Sequence, residues 1–465
     1  MPGLTPERGK GIVLAGIVAL SLGISLVASA QEPEKVIRSI FDEALTTNVA
    51  WSNLTYLCKN TKGRIDGSPA AAEAVEFTRQ ALIKAGADTV WLQQVPVPKW
   101  ERGYEHCRMI SALLGSEDLN ISALGLSGGT DHSGIIAKVI EVHDFDELTA
   151  LGRKQVEGRI VFFNRPADSK LINAMAGYGS AVNQRMQGPS EASKLGALGV
   201  IMRSATQAMD DFPHTGTTRF EEGVNKIPAV AVSTVGAEKL SSWLKRDPSL
   251  NLHLVSECRN YPDTWSYNVV GELKGTTRAK EIITAGGHLD AWDIGEGAQD
   301  DGGGCIQAIE MIRIFKTLGI KPKRTIRAVM FMNEEMTGTG GRTYASEARR
   351  KGETHYAAIE SDRGVLSPRG FSFDADSLRL ARLQGLSKYF LPYNIRDFDK
   401  GGGGSDIAPL KQIGTLQIGY IPDIQRYFWY HHSANDTLEN VNERELQLGS
   451  AAIASLIYLI DLLDL

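Results

Sequence analysis

The spacing of apolar residues predicts an alternation of helices and strands along most of the chain. Near the amino end, apolar residues recur at the period of a half-buried α-helix over residues 33–45 and 69–85. Two shorter apolar runs, at residues 90–95 and 108–114, favour strands. The Gly/Ser-rich stretch at residues 126–130 then marks a change of pattern, so a domain boundary is predicted there.

The middle of the chain has a different pattern, in which short apolar strands dominate and helical spacing is rare. We interpret residues 126–261 as an inserted β-rich module. Its predicted strands lie at residues 135–142, 159–164, 200–202 and 227–232.

The last two hundred residues return to alternating strands and helices, which predicts an α/β fold. The central sheet is expected to be mixed, mostly parallel and flanked by helices. This domain is discontinuous, because it combines residues 31–125 with residues 262–465. Its strands are predicted at residues 269–273, 282–285, 326–332, 357–360 and 415–420, and its helices at residues 303–318, 342–351, 377–389 and 442–463.

Composition and charge narrow the range of partners. The 465-residue chain carries a formal net charge of -5, and its charges are spread evenly without a long basic or acidic block. This distribution argues against nucleic acid or an anionic membrane as the main partner. A small substrate, neutral or of mixed charge, fits better.

The first thirty residues have the pattern of a secretory signal peptide. Arg8 and Lys10 precede an apolar run at residues 11–28, and Ala28-Ser29-Ala30 supplies the small residues of a cleavage site before Gln31. We therefore expect a secreted or periplasmic protein without a membrane segment after cleavage. The alternative is a retained membrane anchor, because the apolar run approaches the ~20 residues that span a bilayer.

Four cysteines, Cys58, Cys107, Cys258 and Cys305, follow the signal. Export permits disulfides, and four cysteines allow three complete pairings between which the sequence does not choose. The absence of a Cys-x-x-Cys pair argues against a structural zinc site. Cys305 opens a predicted helix and is interpreted as a small buried thiol.

Candidate metal ligands fall where predicted strands end. One strand runs into His288 and Asp290, which are two residues apart and can face the same side of an extended chain. His288 is predicted to bind a metal, while Asp290 holds its other ring nitrogen. Asp300 then lies in a glycine-rich turn, where its two carboxylate oxygens can bridge two metals.

Later strands supply further ligands. Glu334 and Glu335 are adjacent at the end of one strand, so that one can bind a metal while the other faces a reacting water. Asp362 follows the next strand, and His432 lies in a loop before the last helix. Each motif alone is weak, because Asp-Asp-Gly is usually a turn and Glu-Glu usually a solvated face. Their joint occurrence at successive strand ends is far more specific.

These motifs, GGHLDAWDIGEGAQDDGGG, MNEE, IESD and HHSANDT, resemble those of the co-catalytic di-zinc aminopeptidase and glutamate carboxypeptidase superfamily. The resemblance implies two Zn²⁺ per subunit, with Asp300 as the bridging ligand. It further implies that His288 and Asp362 complete one zinc site and that Glu335 and His432 complete the other. Glu334 would be the general base and Asp290 the residue that orients the histidine, both counted as catalytic.

The same resemblance implies a function and an assembly. The chain would be a secreted exopeptidase or dipeptidase that hydrolyses small unblocked peptides through a metal-bridging hydroxide. The inserted module would be a protease-associated domain, and the enzyme a homodimer. The peptide bond after Asp300 is expected to be cis.

Four further residues are candidates for substrate binding. His431 could contact the substrate or serve as a packing residue, and Tyr430 belongs to an aromatic run that forms either pocket wall or core. Ser405 and Asp406 follow a glycine-rich loop, and Asp406 could pair with a free ammonium. A flexible turn is the alternative for that loop.

Three competing functions remain open at this point. A leucyl-type aminopeptidase acting on longer peptides would use the same metals. A receptor-like relative without metals and a glutaminyl-cyclase-like acyltransferase are disfavoured, because all five ligand positions and Glu334 are present.

Overall fold

The computed structural model of the protein describes residues 1–3 and 32–465. The predicted signal peptide lies outside these described residues, apart from its first three positions. Within the described chain the helices are α1 Pro33–Leu45, α2 Val49–Asn60, α3 Pro69–Ala85, α4 Phe145–Val156, α5 Ala174–Gly179, α6 Asn183–Met186, α7 Gly188–Lys194, α8 Thr234–Arg246, α9 Gly303–Thr317, α10 Thr339–Lys351, α11 Ser377–Gln384, α12 Ser387–Phe390, α13 Tyr427–Tyr430 and α14 Glu443–Leu463.

The strands form two sheets. They are β1 Thr89–Glu101, β2 Glu105–Ser111, β3 Gly115–Leu119, β4 Ile121–Ala123, β5 Ile135–Val142, β6 Ile160–Phe163, β7 Gly199–Arg203, β8 Ala229–Val232, β9 Asn251–Ser256, β10 Arg259–Leu273, β11 Arg278–His288, β12 Arg324–Phe331, β13 Thr354–Glu360, β14 Pro368–Asp374, β15 Asp397–Lys400 and β16 Leu416–Pro422.

The first sheet has the order β1-β10-β12-β11-β13-β16-β14-β15. Its four central strands, β12, β11, β13 and β16, are parallel, whereas β10 pairs antiparallel with both β1 and β12. The predicted mixed α/β sheet flanked by helices is therefore confirmed. Strand β12 is buried along its whole length, as expected for a strand covered on both faces.

Helices α9 and α14 form the core on one face of this sheet. Ile306, Ile312 and Ile314 of α9 are buried in the same cluster as Leu456 and Ile460 of α14. Helix α14 is long and apolar enough to cross a membrane by composition, yet 78% of its apolar window is buried inside the protein. The helix predicted at residues 442–463 is therefore a core helix of the domain.

The second sheet has the order β3-β2-β9-β5-β6-β7-β8-β4. Its strands begin at Glu105, so β2, β3 and β4 belong to it although they precede the predicted boundary at residue 126. The prediction of few helices in this region is wrong, since α4 and α8 carry 12 and 13 residues. Both have apolar faces against the sheet, so the region is an α/β layer. Its identity as a protease-associated domain stays a prediction.

The sequence interpretation missed helix α2 and strand β9. Helix α2 buries Ala50, Leu54, Leu57 and Cys58, which have the i, i+4, i+7, i+8 spacing of an amphipathic helix. The amphipathic pattern of α2 was therefore present in the sequence, but only over a short segment. Strand β9 alternates along only six residues, and its pairing with β2 and β5 joins segments far apart in the chain.

All four cysteines are free and buried in the described structure. Burial raises the pKa of the Cys58 and Cys107 thiols to about 12. Cys305 donates to the carbonyl oxygen of His288 at 3.1 Å, so it is the small buried thiol that its position predicts.

Candidate active site

The carboxyl ends of the parallel strands bring the predicted ligands together. Strand β11 ends at His288, which lies opposite Phe331 at the end of β12. Strand β13 ends at Glu360 beside Gly286, so the chain reaches Asp362 two residues later. Parallel strands share one carboxyl edge, and a ligand crevice is expected there.

The ring of His288 faces two carboxylates. Its Nε2 lies 3.1 Å from Asp300 Oδ1 and 3.5 Å from Asp362 Oδ1. On its other side Nδ1 lies 2.9 Å from the backbone oxygen of Asp290, which fixes the tautomer with Nδ1 protonated. Burial acts to lower the pKa of His288, but Asp300 and Asp362 outweigh it and raise the pKa well above its usual value. A cation at Nε2, either a proton or a metal, is therefore favoured.

The carboxylate of Asp290 does not hold His288 as predicted, because its Oδ1 is 3.9 Å from Nδ1. It accepts instead from three successive backbone N–H groups, those of Asn333, Glu334 and Glu335, at 2.7, 3.2 and 3.1 Å. Asn333 adopts a left-handed conformation with φ 68°, which asparagine tolerates better than most residues. Asp290 therefore positions the turn that carries both glutamates.

Asp300 lies at the centre of the cluster. Its backbone N–H donates to Asp436 Oδ2 at 3.1 Å, and the neighbouring N–H of Gln299 donates to Asp436 Oδ1 at 2.7 Å. Burial raises the pKa of Asp436 to about 7. The peptide bond between Asp300 and Asp301 is cis, as expected from the resemblance. Asp436 was not assigned a role from sequence, although it stands inside the HHSANDT motif.

Two glycines leave room for Asp301 beneath the cluster. Its carboxylate accepts from the N–H groups of His288 and Gly304 at 3.0 and 3.1 Å. A Cβ on Gly287 would lie 2.2 Å from Asp301 Oδ2, and a Cβ on Gly304 would lie 2.5 Å from Oδ1. Glycine is therefore required at both positions for the backbone to approach this side chain.

The loop after β16 supplies two stacked histidines. His432 Nε2 lies 2.9 Å from Glu335 Oε2 and 3.4 Å from Asp300 Oδ2. The ring of His431 stacks on it with centroids 3.6 Å apart, and its Nε2 lies 3.7 Å from Asp300 Oδ2. His432 has φ 60°, an uncommon conformation for histidine that turns its ring into the cluster. Trp292 donates to Glu335 Oε2 at 2.6 Å.

Three groups of side chains in this cluster have the proximity that a metal requires. In each, the ligand atoms all lie within 4.8 Å of one another. One group is Asp300, His431 and His432, another is His288, Asp301 and Asp362, and the third is His288, Asp300 and Glu335. The five predicted ligands are thus brought together, with His431 and Asp301 beside them.

The charges of the cluster require compensation. Asp300, Glu335 and Asp362 form ion pairs only with histidines in the described structure. Asp300 Oδ2 and Glu335 Oε1 are buried without a hydrogen-bond partner. Burial raises the pKa of Asp362 to about 6 and that of Glu335 well above its usual value. Several buried carboxylates whose only charged partners are histidines are unfavourable, so the donor set fits a metal ion.

The second sheet's segment contributes to the site, which the sequence did not reveal. The N–H of Thr215 donates to the carbonyl oxygen of His432 at 2.8 Å, and His214 Nδ1 lies 2.7 Å from the carbonyl oxygen of His431. The guanidinium of Arg185 lies 3.1 Å from His432 Nδ1. Burial lowers the pKa of His214 to about 4, so it is neutral and donates from Nδ1.

A cavity of about 240 Å³ opens beside the cluster. One wall carries Asp300, Glu334, Glu335, Asp362, His431 and His432, and the other is formed by side chains of the second sheet's segment, which are Met175, Tyr178, Arg185, Met186, Thr217 and Arg219. Substrate bound here would therefore touch both halves of the protein.

The four tentative substrate residues are placed differently from one another. His431 lines the cavity, and Ser405 donates to Glu334 Oε1 at its edge. Asp406 is 1% exposed and does not line the cavity, so its predicted contact with a substrate ammonium is not supported. Tyr430 is buried and does not line the cavity, whereas Tyr427 and Phe428 of the same helical turn do.

Arg64 stabilises the loop between His288 and Asp300 through hydrogen bonds to its backbone. Its fully buried guanidinium donates to the backbone oxygens of Leu289, Glu296 and Gly297, the last at 2.7 Å. The carbonyls of Leu289 and Glu296 have no other donor among the described contacts, whereas that of Gly297 also accepts from the N–H of Gly302 at 2.9 Å. Arg64 belongs to the amino-terminal segment, so its role depends on contacts more than 220 residues away.

Arg64→Met is expected to lower the melting temperature by several degrees. Each buried carbonyl left without a donor costs about 1 kcal/mol, and those of Leu289 and Glu296 lose their only described donor. Arg79→Met is the matched control, because Arg79 pairs with Glu76 at the surface and contributes little. Differential scanning calorimetry of both variants decides, and equal melting temperatures would contradict this role for Arg64.

Comparison with known proteins agrees with this geometry. The profile of Peptidase family M28 matches residues 268–457. Carboxypeptidase Q from Bos taurus is 33% identical over 413 residues, covering 89% of this chain and 85% of the bovine protein. A crystal structure of a Peptidase M28 precursor from Shewanella amazonensis is 31% identical with a TM-score of 0.88, covering 92% of this chain and 96% of that one. A zinc aminopeptidase from Bacillus subtilis shares the fold at 19% identity, with a TM-score of 0.64, covering 89% of this chain and 95% of its own.

The chain therefore belongs to Peptidase family M28 and is a metallopeptidase, a hydrolase. Within that family it is similar to carboxypeptidase Q over most of both chains. The predicted family resemblance is thus confirmed. The buried cluster at the strand ends is its candidate active site.

Proposed function

We propose that the chain is an extracytoplasmic exopeptidase that hydrolyses small, unblocked peptides with two zinc ions per subunit. The observation that carries this proposal is the buried cluster of carboxylates around His288 and His432, whose negative charge no lysine or arginine neutralises among the described ion pairs. Carboxylate and imidazole are typical ligands of catalytic zinc.

The distances support one assignment of ligands. Asp300 would bridge, since its two oxygens face different histidines. His288 and Asp362 would hold one zinc, and Glu335 and His432 the other. His432 is favoured over His431 as the ligand, because only His432 approaches both Asp300 and Glu335 within 3.5 Å. Bound zinc would act as a Lewis acid that activates water and polarises the scissile carbonyl.

Glu334 is proposed as the general base. It lines the cavity, is only partly buried, and receives a hydrogen bond from Ser405. Burial raises the pKa of Glu334, with further contributions from Asp290 and Asp300, so the carboxylate is a better proton acceptor than a solvated glutamate. It would take the proton of the attacking water and pass it to the leaving amine.

The size of the cavity supports a small substrate. Its volume of about 240 Å³ is below the ~300–1,000 Å³ of sites for drug-sized ligands. The helices α5 and α6 cover it opposite the metal cluster, so a long folded chain would not reach the glutamates. Similarity to carboxypeptidase Q supports an exopeptidase.

Location, module identity and assembly complete the proposal. The amino-terminal sequence supports export with cleavage before Gln31, which sequencing the amino end of the exported protein would test. We also propose that the second sheet's segment is a protease-associated domain and that the enzyme is a homodimer. Light scattering on the purified enzyme gives the subunit number.

A panel of dipeptides tests the reaction. Zinc is first quantified, and amino-acid release from free dipeptides is then followed with and without a chelator, alongside cyclisation of an amino-terminal glutamine. Chelator-sensitive release from dipeptides supports the proposal. Preference for longer peptides would indicate the leucyl-type aminopeptidase instead, and cyclisation without hydrolysis would indicate the acyltransferase.

Asp406→Asn is expected to leave the preference for free amino termini unchanged. Asp406 is 1% exposed and does not line the cavity, so a substrate ammonium would not reach it, and burial raises the pKa of its carboxyl well above the usual value, with Glu360 contributing. The measurement is the ratio of kcat/KM for a dipeptide and its N-acetyl derivative, in the variant and in the wild type. If this ratio fell to about one in the variant, Asp406 would be the partner of the substrate ammonium after all.

A further inference from the structure

The carboxylate of Glu334 has one hydrogen-bond donor in the described part of the chain, the hydroxyl of Ser405. Ser405 Oγ donates to Glu334 Oε1, whereas no described group donates to Oε2. Glu334 also forms no described ion pair, unlike its neighbour Glu335, whose Oε2 lies 2.9 Å from His432 Nε2. The backbone N–H of Glu334 donates to Asp290 Oδ1 at 3.2 Å, so the near end of the residue is fixed separately. Ser405 is therefore the described contact that fixes the far end of this side chain.

The loop that carries Ser405 is attached to the strand that leads to the metal cluster. The N–H of Ile407 donates to Glu360 Oε2 at 2.9 Å, and Glu360 is the last residue of β13. A Cβ on Gly404 would overlap Glu360 Oε1, so only glycine lets the loop approach this side chain so closely. The carbonyl oxygen of Gly404 accepts from the N–H of Ala408 at 3.2 Å, which closes the turn around Ser405. The loop therefore holds Ser405 in a fixed place beside the cluster.

The position of Ser405 favours contact with Glu334 over contact with a substrate. Ser405 is exposed and is not among the residues that line the cavity, whereas Glu334 lines it. Its hydroxyl proton is already donated to Glu334 Oε1. A glutamate side chain has several rotatable bonds, and a hydrogen bond offsets the conformational entropy that is lost when it is held in one rotamer. Without Ser405 the carboxylate would sample several rotamers, of which only some reach into the cavity.

We propose that Ser405 is a positioning residue for the general base. By holding Oε1, its hydroxyl leaves Oε2 of Glu334 free to take the proton of the attacking water. The same proton then passes from Oε2 to the leaving amine, while Ser405 retains its own. Small displacements matter here, because a misplacement of about 1 Å can cost about 100-fold in rate. The inference rests on the proposed role of Glu334 and goes beyond it by naming the group that orients the base.

Ser405→Ala is expected to lower kcat on a dipeptide by about tenfold, the scale of a hydrogen bond to a charged group, with KM and zinc content little changed. Ser405→Thr should restore most of kcat, since it returns the hydroxyl. Steady-state kinetics and zinc analysis of both variants give the result. Ser39→Ala is the control, because Ser39 is exposed on α1 and donates to the backbone oxygen of Lys35 in its own helix.

A double-mutant cycle shows whether Ser405 acts through Glu334. In the Glu334→Gln background, Ser405→Ala should change kcat by less than about twofold, because orienting a side chain that cannot accept a proton has no further effect on the rate. A residue that supports only the local fold, or that binds the substrate directly, would have the same effect in both backgrounds. The cycle compares the wild type, the two single variants and the double variant on one dipeptide.

Other outcomes overturn the inference. Unchanged kcat in Ser405→Ala, or an equal fall in kcat with and without Glu334→Gln, would separate Ser405 from the base, and no restoration by Ser405→Thr would likewise contradict it. A rise in KM at unchanged kcat would make Ser405 a substrate contact, and loss of zinc would make it part of the metal site. Near-normal turnover in Glu334→Gln would remove the proposed base itself, so failure of the proposed function is seen in that variant and not in Ser405→Ala.

Discussion

Glu334→Gln is expected to retain bound zinc and to lower kcat by about 10²- to 10⁴-fold, the usual contribution of general acid–base catalysis. The amide keeps the shape of the side chain and the hydrogen bond with Ser405, but it cannot accept a proton from water. Both glutamates line the cavity, but Glu335 Oε2 lies 2.9 Å from His432 Nε2 whereas Glu334 accepts from Ser405, so the two adjacent glutamates are expected to differ in effect. Steady-state kinetics on a dipeptide, with zinc measured on the same sample, gives the result.

The control for that variant is Glu73→Gln, because Glu73 is exposed on α3 and accepts only from Tyr56. Its kcat should match that of the wild type. Near-normal turnover in Glu334→Gln would remove Glu334 from the role of base, and loss of zinc would make it a ligand instead.

Asp300→Ala is expected to bring the zinc content from two ions per chain towards zero, because this carboxylate faces both halves of the cluster. His288→Ala should lose at least one ion, since it would complete only one site. Elemental analysis of the purified variants measures both effects. His132→Ala is the control, because its side chain is 87% exposed and pairs only with Glu257.

Retention of both ions in Asp300→Ala would contradict the assignment of the bridging ligand. A variant that fails to fold is recognised by its circular dichroism, and Asp300→Asn then serves in its place. The amide of Asp300→Asn keeps one oxygen acceptor. It should still weaken the binding of the two zinc ions, since it lacks the second carboxylate oxygen and the negative charge.

The α/β fold class and the convergence of the predicted metal ligands could be predicted from the sequence for one physical reason. Parallel strands end at a common edge, so ligands placed after successive strands converge without further information. His288, Asp300, Glu335, Asp362 and His432 all follow this rule. The pairing of the strands that carry these residues depends on buried apolar segments such as β11 and β12. Such segments can be recognised from the local sequence.

The remaining site residues could not be found this way, because their contacts join segments that share no local pattern. Arg185 meets His432 across 247 positions, and Arg64 meets Leu289 across 225. The burial of Asp406 depends on how the loop after β15 folds over Glu360. For Asp290, the two-residue spacing predicts proximity to His288. It does not reveal that the backbone oxygen of Asp290, rather than its carboxylate, contacts the histidine ring.

The extent of the second sheet was missed for a related reason. Strands β2 and β9 pair antiparallel although 140 residues of chain separate parts of them, so the strand predicted at residues 108–114 did not reveal its partner, and β9 has too few residues for a clear period. Composition placed the boundary at the glycine-rich loop, whereas pairing begins at Glu105. Sheet membership is a property of the partner strand as well as of the strand itself.

Anomalous diffraction at the zinc absorption edge, on crystals of the full mature chain, shows directly whether the cluster binds two zinc ions. Two zinc peaks about 3.5–4 Å apart are expected in the cleft at the carboxyl ends of β11, β12 and β13. The peaks should touch His288, Asp300, Glu335, Asp362 and His432. A single peak, or peaks bound by other residues, would contradict this assignment.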